Sequence, residues 1–128
     1  MRLLIDAHAL LWAVDDPAQL SSPATTALQD PANQLLIGAG TIWEISIKVG
    51  LGKLTLSLPY RQWMDRVFAD LGLSILPITV EYADRQATLP HHHRDPFDRL
   101  LIAQSLTDSI PVVTADALFD TCGIVRIW

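Results

Sequence analysis

Short apolar runs alternate along the chain with longer segments that place apolar residues at helical spacing. Runs of this length, bounded by polar residues, glycine or proline, are typical of strands buried on both faces of a parallel sheet. The predicted strands span residues 2–5, 34–37, 73–76, 111–113 and 124–127. The predicted helices span about 9–14, 22–29, 41–49, 60–71, 79–87 and 96–106. Because strands alternate with helices, the pattern predicts an α/β fold, with right-handed crossovers and helices on both faces of a parallel sheet.

Two of the predicted helices begin with a capping residue followed by proline. Ser22 precedes Pro23 and Asp95 precedes Pro96, so each pair predicts an N-cap with proline at the first helical position. The second cap bears on Asp98, which lies three residues after Asp95. Asp95 suits the cap, whereas Asp98 is predicted to face a cleft.

The composition predicts one domain over residues 1–128, because half of the residues are apolar and can form a buried core. No apolar run approaches the roughly 20 residues of a membrane span. Residues 1–14 lack a signal-peptide pattern, so we expect a cytoplasmic protein. The single cysteine, Cys122, is expected to act as a small hydrophobe. The net charge of −5 argues against a large phosphate-binding surface but is compatible with a short basic rim.

Four acidic residues lie inside or at the edge of apolar segments, namely Asp6, Glu44, Asp98 and Asp116. Asp6 and Asp116 follow predicted strands, and Glu44 and Asp98 lie in the early turns of predicted helices. In an open α/β sheet these positions meet beyond the carboxyl ends of the strands. A carboxylate in apolar surroundings costs free energy unless it is paired, metal-bound or at a rim. The pattern therefore predicts a carboxylate cage for a hard divalent cation.

The predicted cation is Mg²⁺ or Mn²⁺, since it would relieve a repulsion of roughly 4 kcal/mol between carboxylates about 4 Å apart at an effective dielectric near 20. We assign Asp6 and Asp98 as core ligands and Asp116 as a direct or water-mediated ligand. Glu44 would bind a second metal or position the attacking water. No serine, cysteine or lysine lies in a convincing nucleophile setting, so metal-assisted hydrolysis is favoured over covalent catalysis.

Each of these acids also has a purely structural interpretation. Asp6 could cap the first helix, and Asp116 could be an ordinary turn residue after a strand. Glu44 and Lys48 have the i,i+4 spacing of a helical ion pair. That pairing is compatible with a functional role for Glu44.

Four segments of the chain resemble those of PIN-domain proteins, specifically VapC-type toxins of type II toxin–antitoxin pairs. In family order they are LLIDAHALLW at 3–12, WEISIK at 43–48, HRDPFDRLLIAQ at 93–104 and VTAD at 113–116. The resemblance implies a five-stranded parallel sheet, Mg²⁺- or Mn²⁺-dependent endoribonuclease activity, a homodimer and inhibition by a cognate antitoxin. The family's acidic positions map onto Asp6, Glu44, Asp98 and Asp116. Ala7 departs from the threonine or serine that many relatives carry after the first aspartate.

Substrate contacts are marked less clearly. Arg94 and Arg99 flank the start of a predicted helix and are candidates to bind RNA phosphates or to pair with acids. Thr114, just before the last acid, is a further substrate candidate. The histidines at 91–93 lie in a polar loop and are predicted to be solvated, with a substrate contact near the cleft as the alternative.

Residues 51–72 resemble the family least, and they could form an apolar groove for a helix of the antitoxin. The residues predicted to line this groove are Leu54, Leu56, Tyr60 and Trp63. The tryptophans are predicted to fill core or interface positions rather than to stack on bases. They are Trp12, Trp43, Trp63 and Trp128.

The leading hypothesis is a metal-dependent endoribonuclease toxin. The alternative is a catalytically silent PIN module that binds RNA or a protein partner, which the presence of all four acids disfavours. A phospho-receiver would need paired acids after the first strand, where Asp6 is followed by Ala7. A phosphatase with an Asp-x-Asp nucleophile is disfavoured because the third position is His8.

Overall fold

Five parallel strands form one sheet, which confirms the predicted α/β fold. The computed structural model describes residues 1–91 and 93–128. Its strands are β1 (Arg2–Ile5), β2 (Gln34–Gly38), β3 (Ser74–Leu76), β4 (Val112–Val113) and β5 (Arg126–Ile127). Their order across the sheet is β3-β2-β1-β4-β5, so the chain builds outward from β1 on one side and then fills the other. This reversal places a crevice at the carboxyl ends of β1 and β4.

The helices agree with the sequence pattern except at their ends. They are α1 (Ala7–Asp15), α2 (Ser22–Gln29), α3 (Ala39–Gly50), α4 (Tyr60–Leu71), α5 (Val80–Ala87) and α6 (Pro96–Asp108), with short 3₁₀ helices at Pro17–Gln19 and Ala117–Cys122. Both α1 and α3 begin two residues earlier than predicted, because β1 and β2 pass into them with almost no loop. Among the described residues, none of the helices is both long and apolar enough to cross a membrane.

Side chains of β1 alternate between two apolar layers. Leu3 and Ile5 are fully buried in a layer that also contains α1, α2 and α4. Leu4 is fully buried in the opposite layer, together with residues of α5 and α6. Because both faces of the strand are covered, it needs no polar alternation, and the run at 3–5 is apolar throughout.

One predicted helix cap is confirmed and the other shifts by one residue. The Asp95 carboxylate accepts hydrogen bonds from two backbone N–H groups in the first turn of α6, at 2.8 and 3.1 Å. At α2 the cap is Ser21, whose Oγ accepts a hydrogen bond from the N–H of Ala24 at 3.2 Å. Ser22 is therefore already helical, and Pro23 occupies the second position, where its missing N–H is equally harmless.

The predicted antitoxin groove is wrong for Trp63. This side chain is fully buried in the core on α4, and its indole N–H donates to the Asp15 carboxylate at 3.2 Å. Leu54 and Leu56 are partly buried against the same core. Because the Trp63 side chain fills the space beneath residues 51–58, this segment covers the core instead of opening a groove beside Trp63.

An open apolar cavity of about 340 Å³ lies nearby, on the outer side of α4. Tyr60 belongs to it, and the Tyr60 hydroxyl donates to the carbonyl of Ile42 at 2.9 Å. Ile42, Met64, Phe68 and Ile75 complete its apolar lining. Of the residues predicted to line a groove, Tyr60 is thus the one that lines this cavity.

The other tryptophans lie nearer the surface. Trp12 and Trp128 are half-buried, and their ring centroids are 5.7 Å apart. Trp43 is 64% exposed and contacts the ring of Phe97 edge-on. The core prediction is confirmed for Trp63 and wrong for Trp43, for which an interface role stays a prediction.

Candidate metal centre

The carboxyl ends of β1 and β4 bring Asp6 next to the segment that follows β4. The two strands are paired in parallel, and the backbone N–H of Asp6 donates to the carbonyl of Val113 at 3.2 Å. The Asp6 carboxylate then does two things at once. Its Oδ1 caps α1 by accepting a hydrogen bond from Ala9 N–H at 2.8 Å, and its Oδ2 accepts a short hydrogen bond from the Thr114 hydroxyl. The capping interpretation is confirmed and leaves Asp6 at the predicted edge of the sheet.

Thr114 organises this edge and is not placed to contact a substrate. Its side chain is fully buried, its hydroxyl donates to Asp6, and its Oγ1 accepts a hydrogen bond from the backbone N–H of Asp116 at 3.1 Å. The hydroxyl therefore fixes both strand-end acids relative to each other. The sequence prediction of Thr114 as a substrate residue is corrected to a positioning role, because burial removes its side chain from the surface.

Asp116 also combines a structural role with a free oxygen. Its Oδ1 accepts a hydrogen bond from the N–H of Leu118 at 3.0 Å and caps the 3₁₀ helix Ala117–Cys122. Its Oδ2 lies 3.9 Å from the Nε2 atom of His93. The turn interpretation of Asp116 thus holds for one oxygen, and the other faces the centre of the cluster.

Asp98 comes from the first turn of α6, where Asp95 already occupies the cap. It is half-buried, and one of its carboxylate oxygens belongs to a compact group with Asp116 and His93. One potential ligand atom from each of these three residues lies within 4.8 Å of the other two. The choice of Asp98 over Asp95 as the cleft residue therefore agrees with the geometry.

Glu44 enters the site from α3, in the second turn of the helix rather than the first. It is buried, and Lys48 donates to its Oε2 at 2.6 Å, so the predicted ion pair is confirmed. The helix approaches α6 closely at Gly40, where an added Cβ would lie 2.6 Å from a Leu100 methyl carbon. The absence of a side chain at this position lets α3 and α6 pack together, which brings Glu44 toward the acids of α6.

The electrostatics show that the four acids share one environment. Burial, the largest cause, and the charges of Asp95, Glu44, Asp116 and Asp6 together raise the pKa of Asp98 to about 7. Burial also raises the pKa of Asp6, although hydrogen bonds from Thr114 and Ala9 act against the rise. The neighbouring carboxylates thus disfavour the charged form of Asp98, which is the form that a cation would stabilise.

His93 is the site residue that the sequence interpretation missed. The prediction of a solvated loop is wrong for His93, which is 7% exposed and packs its ring edge-on against Phe119. It is confirmed for His91, which is exposed, and His92 lies outside the described residues. The available signal was the position of His93 in the HRDPFDRLLIAQ segment, two residues before the cap of α6.

The two arginines differ in how they are held. Arg94 is exposed beside the site. The guanidinium of Arg99 donates to four backbone carbonyls, at distances of 2.9 to 3.4 Å, and so ties Gln86, Leu89, Pro90 and His93 to α6. Arg99 thus pairs with carbonyls rather than with acids, and a phosphate contact by either arginine stays a prediction.

The donor set suits a divalent cation that accepts oxygen and nitrogen ligands. Carboxylates with raised pKa values gain most from a cation, and a buried imidazole nitrogen without a hydrogen-bond partner in the described part of the chain faces them. Asp98 and Asp116 lie with His93 at a spacing that could hold such an ion. Asp6 and Glu44 are close enough for their charges to act on Asp98, and their part in holding the ion stays a prediction. These residues fit Mg²⁺ or Mn²⁺.

A sequence model of the PIN domain family matches residues 3–123. The chain belongs to the PIN domain family. The resemblance drawn from the four sequence segments is therefore confirmed. The match begins at β1 of this PIN domain and ends after the 3₁₀ helix Ala117–Cys122, so it includes all four acids.

Individual relatives of this PIN domain are VapC proteins and their complexes. Ribonuclease VapC22 of Mycobacterium tuberculosis is 26% identical over 115 residues, which are 89% of this chain and 86% of that protein. The structure of VapBC2 from Rickettsia felis, bound to a DNA fragment from its promoter, superposes with a TM-score of 0.72 at 12% identity and covers 98% of this chain and 97% of that one. VapBC-1 from nontypeable Haemophilus influenzae gives 0.68 at 15% identity, with 98% and 96% covered. At these identities the two structures establish the fold alone.

Proposed function

We propose that this PIN domain, which we take to span the whole chain, is a Mg²⁺- or Mn²⁺-dependent endoribonuclease. The convergence of four acids at one edge of the sheet carries the proposal, and the charges of Asp6, Glu44 and Asp116 contribute, after burial, to raising the pKa of Asp98 to about 7. The name of the relative Ribonuclease VapC22 supports RNA as the substrate. The reaction would be hydrolysis of a phosphodiester by metal-activated water.

Each acid has a defined part in the proposed reaction. Asp6 and Asp98 hold the metal, and Asp116 binds it directly or through water. Glu44 binds a second metal or positions the attacking water. A bound cation lowers the pKa of water and offsets the charge that develops on the phosphate.

The remaining residues prepare the site. Thr114 keeps the Asp6 carboxylate and the backbone of Asp116 in place, so that both acids are positioned before the substrate binds. Lys48 neutralises part of the charge on Glu44. Exposed Arg94 is the residue we expect to meet an RNA phosphate at the rim, with Arg99 holding its loop.

We further propose that the chain acts in the cytoplasm as the toxin of a toxin–antitoxin pair and forms a homodimer. The structural neighbours support an antitoxin partner, since two of them are VapBC proteins. The cavity that contains Tyr60 is the part of the predicted groove that can still receive an apolar side chain of the antitoxin. Expression without antitoxin is expected to arrest growth.

Cleavage of total cellular RNA by the antitoxin-free protein tests the proposal. Wild-type protein with Mn²⁺ or Mg²⁺ should give discrete fragments, which a chelator and the Asp6→Asn or Asp98→Asn variant should abolish. Asp84→Asn, which changes an exposed acid on α5, is the matched control and should cleave like wild type. Fragments that persist in Asp98→Asn would contradict the site. No cleavage by folded, metal-loaded protein would favour the silent RNA- or protein-binding module.

A further inference from the structure

We infer that His93 is a direct nitrogen ligand of the catalytic metal, which makes this a mixed imidazole–carboxylate site suited to Mn²⁺. The inference rests on the proposed function and deepens it, because it concerns the same metal. It adds a ligand that lies outside the four acids. Its ligand atom is Nε2, which faces Asp116 across the cluster.

The surroundings of the Nε2 atom favour a bound cation. His93 is 7% exposed, and Nε2 is a buried atom without a hydrogen-bond partner among residues 1–91 and 93–128. A buried polar atom that lacks a partner costs about 1–3 kcal/mol, so native structures rarely leave one without a function. A cation bound to Nε2 would remove this cost.

The His93 ring is oriented by contacts on the side away from the acids. The ring packs edge-on against Phe119 with a centroid distance of 5.1 Å, and Nδ1 lies 3.6 Å from the Cys122 sulfur. Histidines that bind metals commonly use one ring nitrogen for a second partner, which fixes the ring and directs the other nitrogen at the ion. Here Phe119 and Cys122 hold the ring, and Nε2 is the nitrogen directed at the acids.

The distances between the candidate ligand atoms also fit a metal centre. Nε2 lies 3.9 Å from Asp116 Oδ2, well beyond the 2.7–2.9 Å typical of a charge-assisted hydrogen bond. Two ligand atoms that each lie about 2.0–2.2 Å from one ion are at most about 4.4 Å apart. The ligand atoms of His93, Asp98 and Asp116 lie within 4.8 Å of one another, which matches a shared ion with little adjustment. The spacing is therefore too long for direct pairing and close to that of a metal centre.

A nitrogen ligand has a consequence for metal choice. Mg²⁺ and Mn²⁺ both bind carboxylates, but Mn²⁺ is a first-row transition metal, and a nitrogen ligand contributes more to its binding than to that of Mg²⁺. Wild-type protein should therefore bind Mn²⁺ more tightly than Mg²⁺. Loss of the imidazole in His93→Asn should lower the affinity for Mn²⁺ by at least about tenfold and the affinity for Mg²⁺ by less.

Pulsed electron paramagnetic resonance of the Mn²⁺-loaded protein tests the inference without any RNA. Wild-type protein should show the ¹⁴N coupling of a coordinated histidine, and ¹⁵N-histidine labelling should change its frequency. The coupling should vanish in His93→Asn and persist in His91→Asn, which makes the same change at an exposed position of the same loop. A wild-type spectrum without nitrogen coupling, or an unchanged spectrum in His93→Asn, would overturn the assignment.

A reciprocal variant covers the case in which His93→Asn fails to fold. The chain has four histidines, so a triple variant with His8→Asn, His91→Asn and His92→Asn keeps His93 alone. The nitrogen coupling should persist in this variant, and its loss would refute the inference. The readout is independent of cleavage. Nitrogen-bound Mn²⁺ in a protein that cuts no RNA would contradict the nuclease proposal, whereas cleavage without nitrogen coupling would contradict only the role of His93.

Discussion

Asp98 is held in a position that disfavours its charge. Burial raises its pKa, the charges of Asp95, Glu44, Asp116 and Asp6 contribute in the same direction, and together they bring it from 3.8 to about 7. A carboxyl group with a raised pKa binds its proton more tightly in the folded than in the unfolded chain. Between pH 4 and 7 the folded state therefore holds more protons, and its stability falls as the pH rises through that window. The buried carboxylate therefore lowers the stability of the metal-free fold, and a bound cation would stabilise its charged form.

Replacement of Asp98 by asparagine should expose this trade-off. In metal-free protein, Asp98→Asn removes the disfavoured charge and should unfold at a higher temperature than wild type at pH 8. The difference should disappear near pH 4, where the wild-type carboxyl group is protonated. Thermal unfolding across this pH range measures the effect, with Asp84→Asn as the exposed control. Parallel pH profiles for wild type and Asp98→Asn would contradict this account.

Thr114 is a second residue whose effect acts through its neighbours. Its hydroxyl bonds to Asp6 and to the N–H of Asp116, and the hydrogen bond to Asp6 lowers the pKa of that acid. Thr114→Val keeps the shape and removes both contacts, so we expect metal affinity and cleavage to fall by about 10–100-fold. Thr114→Ser retains the hydroxyl and should stay near wild type. Calorimetric titration with Mn²⁺ separates the two variants, and equal affinities would show that the hydroxyl is dispensable.

At the scale of elements, local structure places two of the four acids that the sequence predicted. Asp6 directly follows β1, and Asp98 lies in the turn after a proline-marked cap, so short stretches of sequence located both. Glu44 depends on the packing of α3 against α6 at Gly40, which the periodicity does not reveal. His93 lies outside regular structure, and its burial comes from contact with the distant Phe119. Local sequence carries no sign of that contact.

Helices α3 and α4 each carry a tryptophan, and we expect the two side chains to contribute very differently to the stability of the fold. Trp63 of α4 is fully buried and donates to Asp15, whereas Trp43 of α3 is 64% exposed. Trp63→Ala should lower the free energy of unfolding by about 3–5 kcal/mol, because it opens a core cavity. Trp43→Ala should change it by less than about 0.5 kcal/mol. Denaturant titration measures both, and similar losses would show that the α3 side chain is packed in solution.

For the molecule as a whole, the net negative charge comes partly from acids gathered at one site and partly from acids elsewhere on the surface. The net charge is −5, and four of the fourteen acids gather at one edge of the sheet. The order of the strands along the sequence does not reveal that β1 lies at the centre of the sheet. The alternation of strands and helices was nevertheless enough to predict that strand ends and helix starts lie at one edge. A cation at that edge would contact residues from β1–α1, α3, α6 and the segment after β4. It would therefore link parts of the chain that are far apart in sequence.

Metal binding should for this reason stabilise the entire fold. An ion that binds the folded chain and not the unfolded one adds about 2.7 kcal/mol to the free energy of unfolding at a concentration of 100 times its Kd. Mn²⁺ should thus raise the wild-type melting temperature by several degrees, and excess chelator should reverse the shift. Asp116→Asn removes an oxygen ligand, so its shift should be much smaller, while exposed Asp84→Asn should respond like wild type. Equal shifts in both variants would mean that Mn²⁺ acts elsewhere on the acidic surface, because only a site that includes Asp116 can distinguish them.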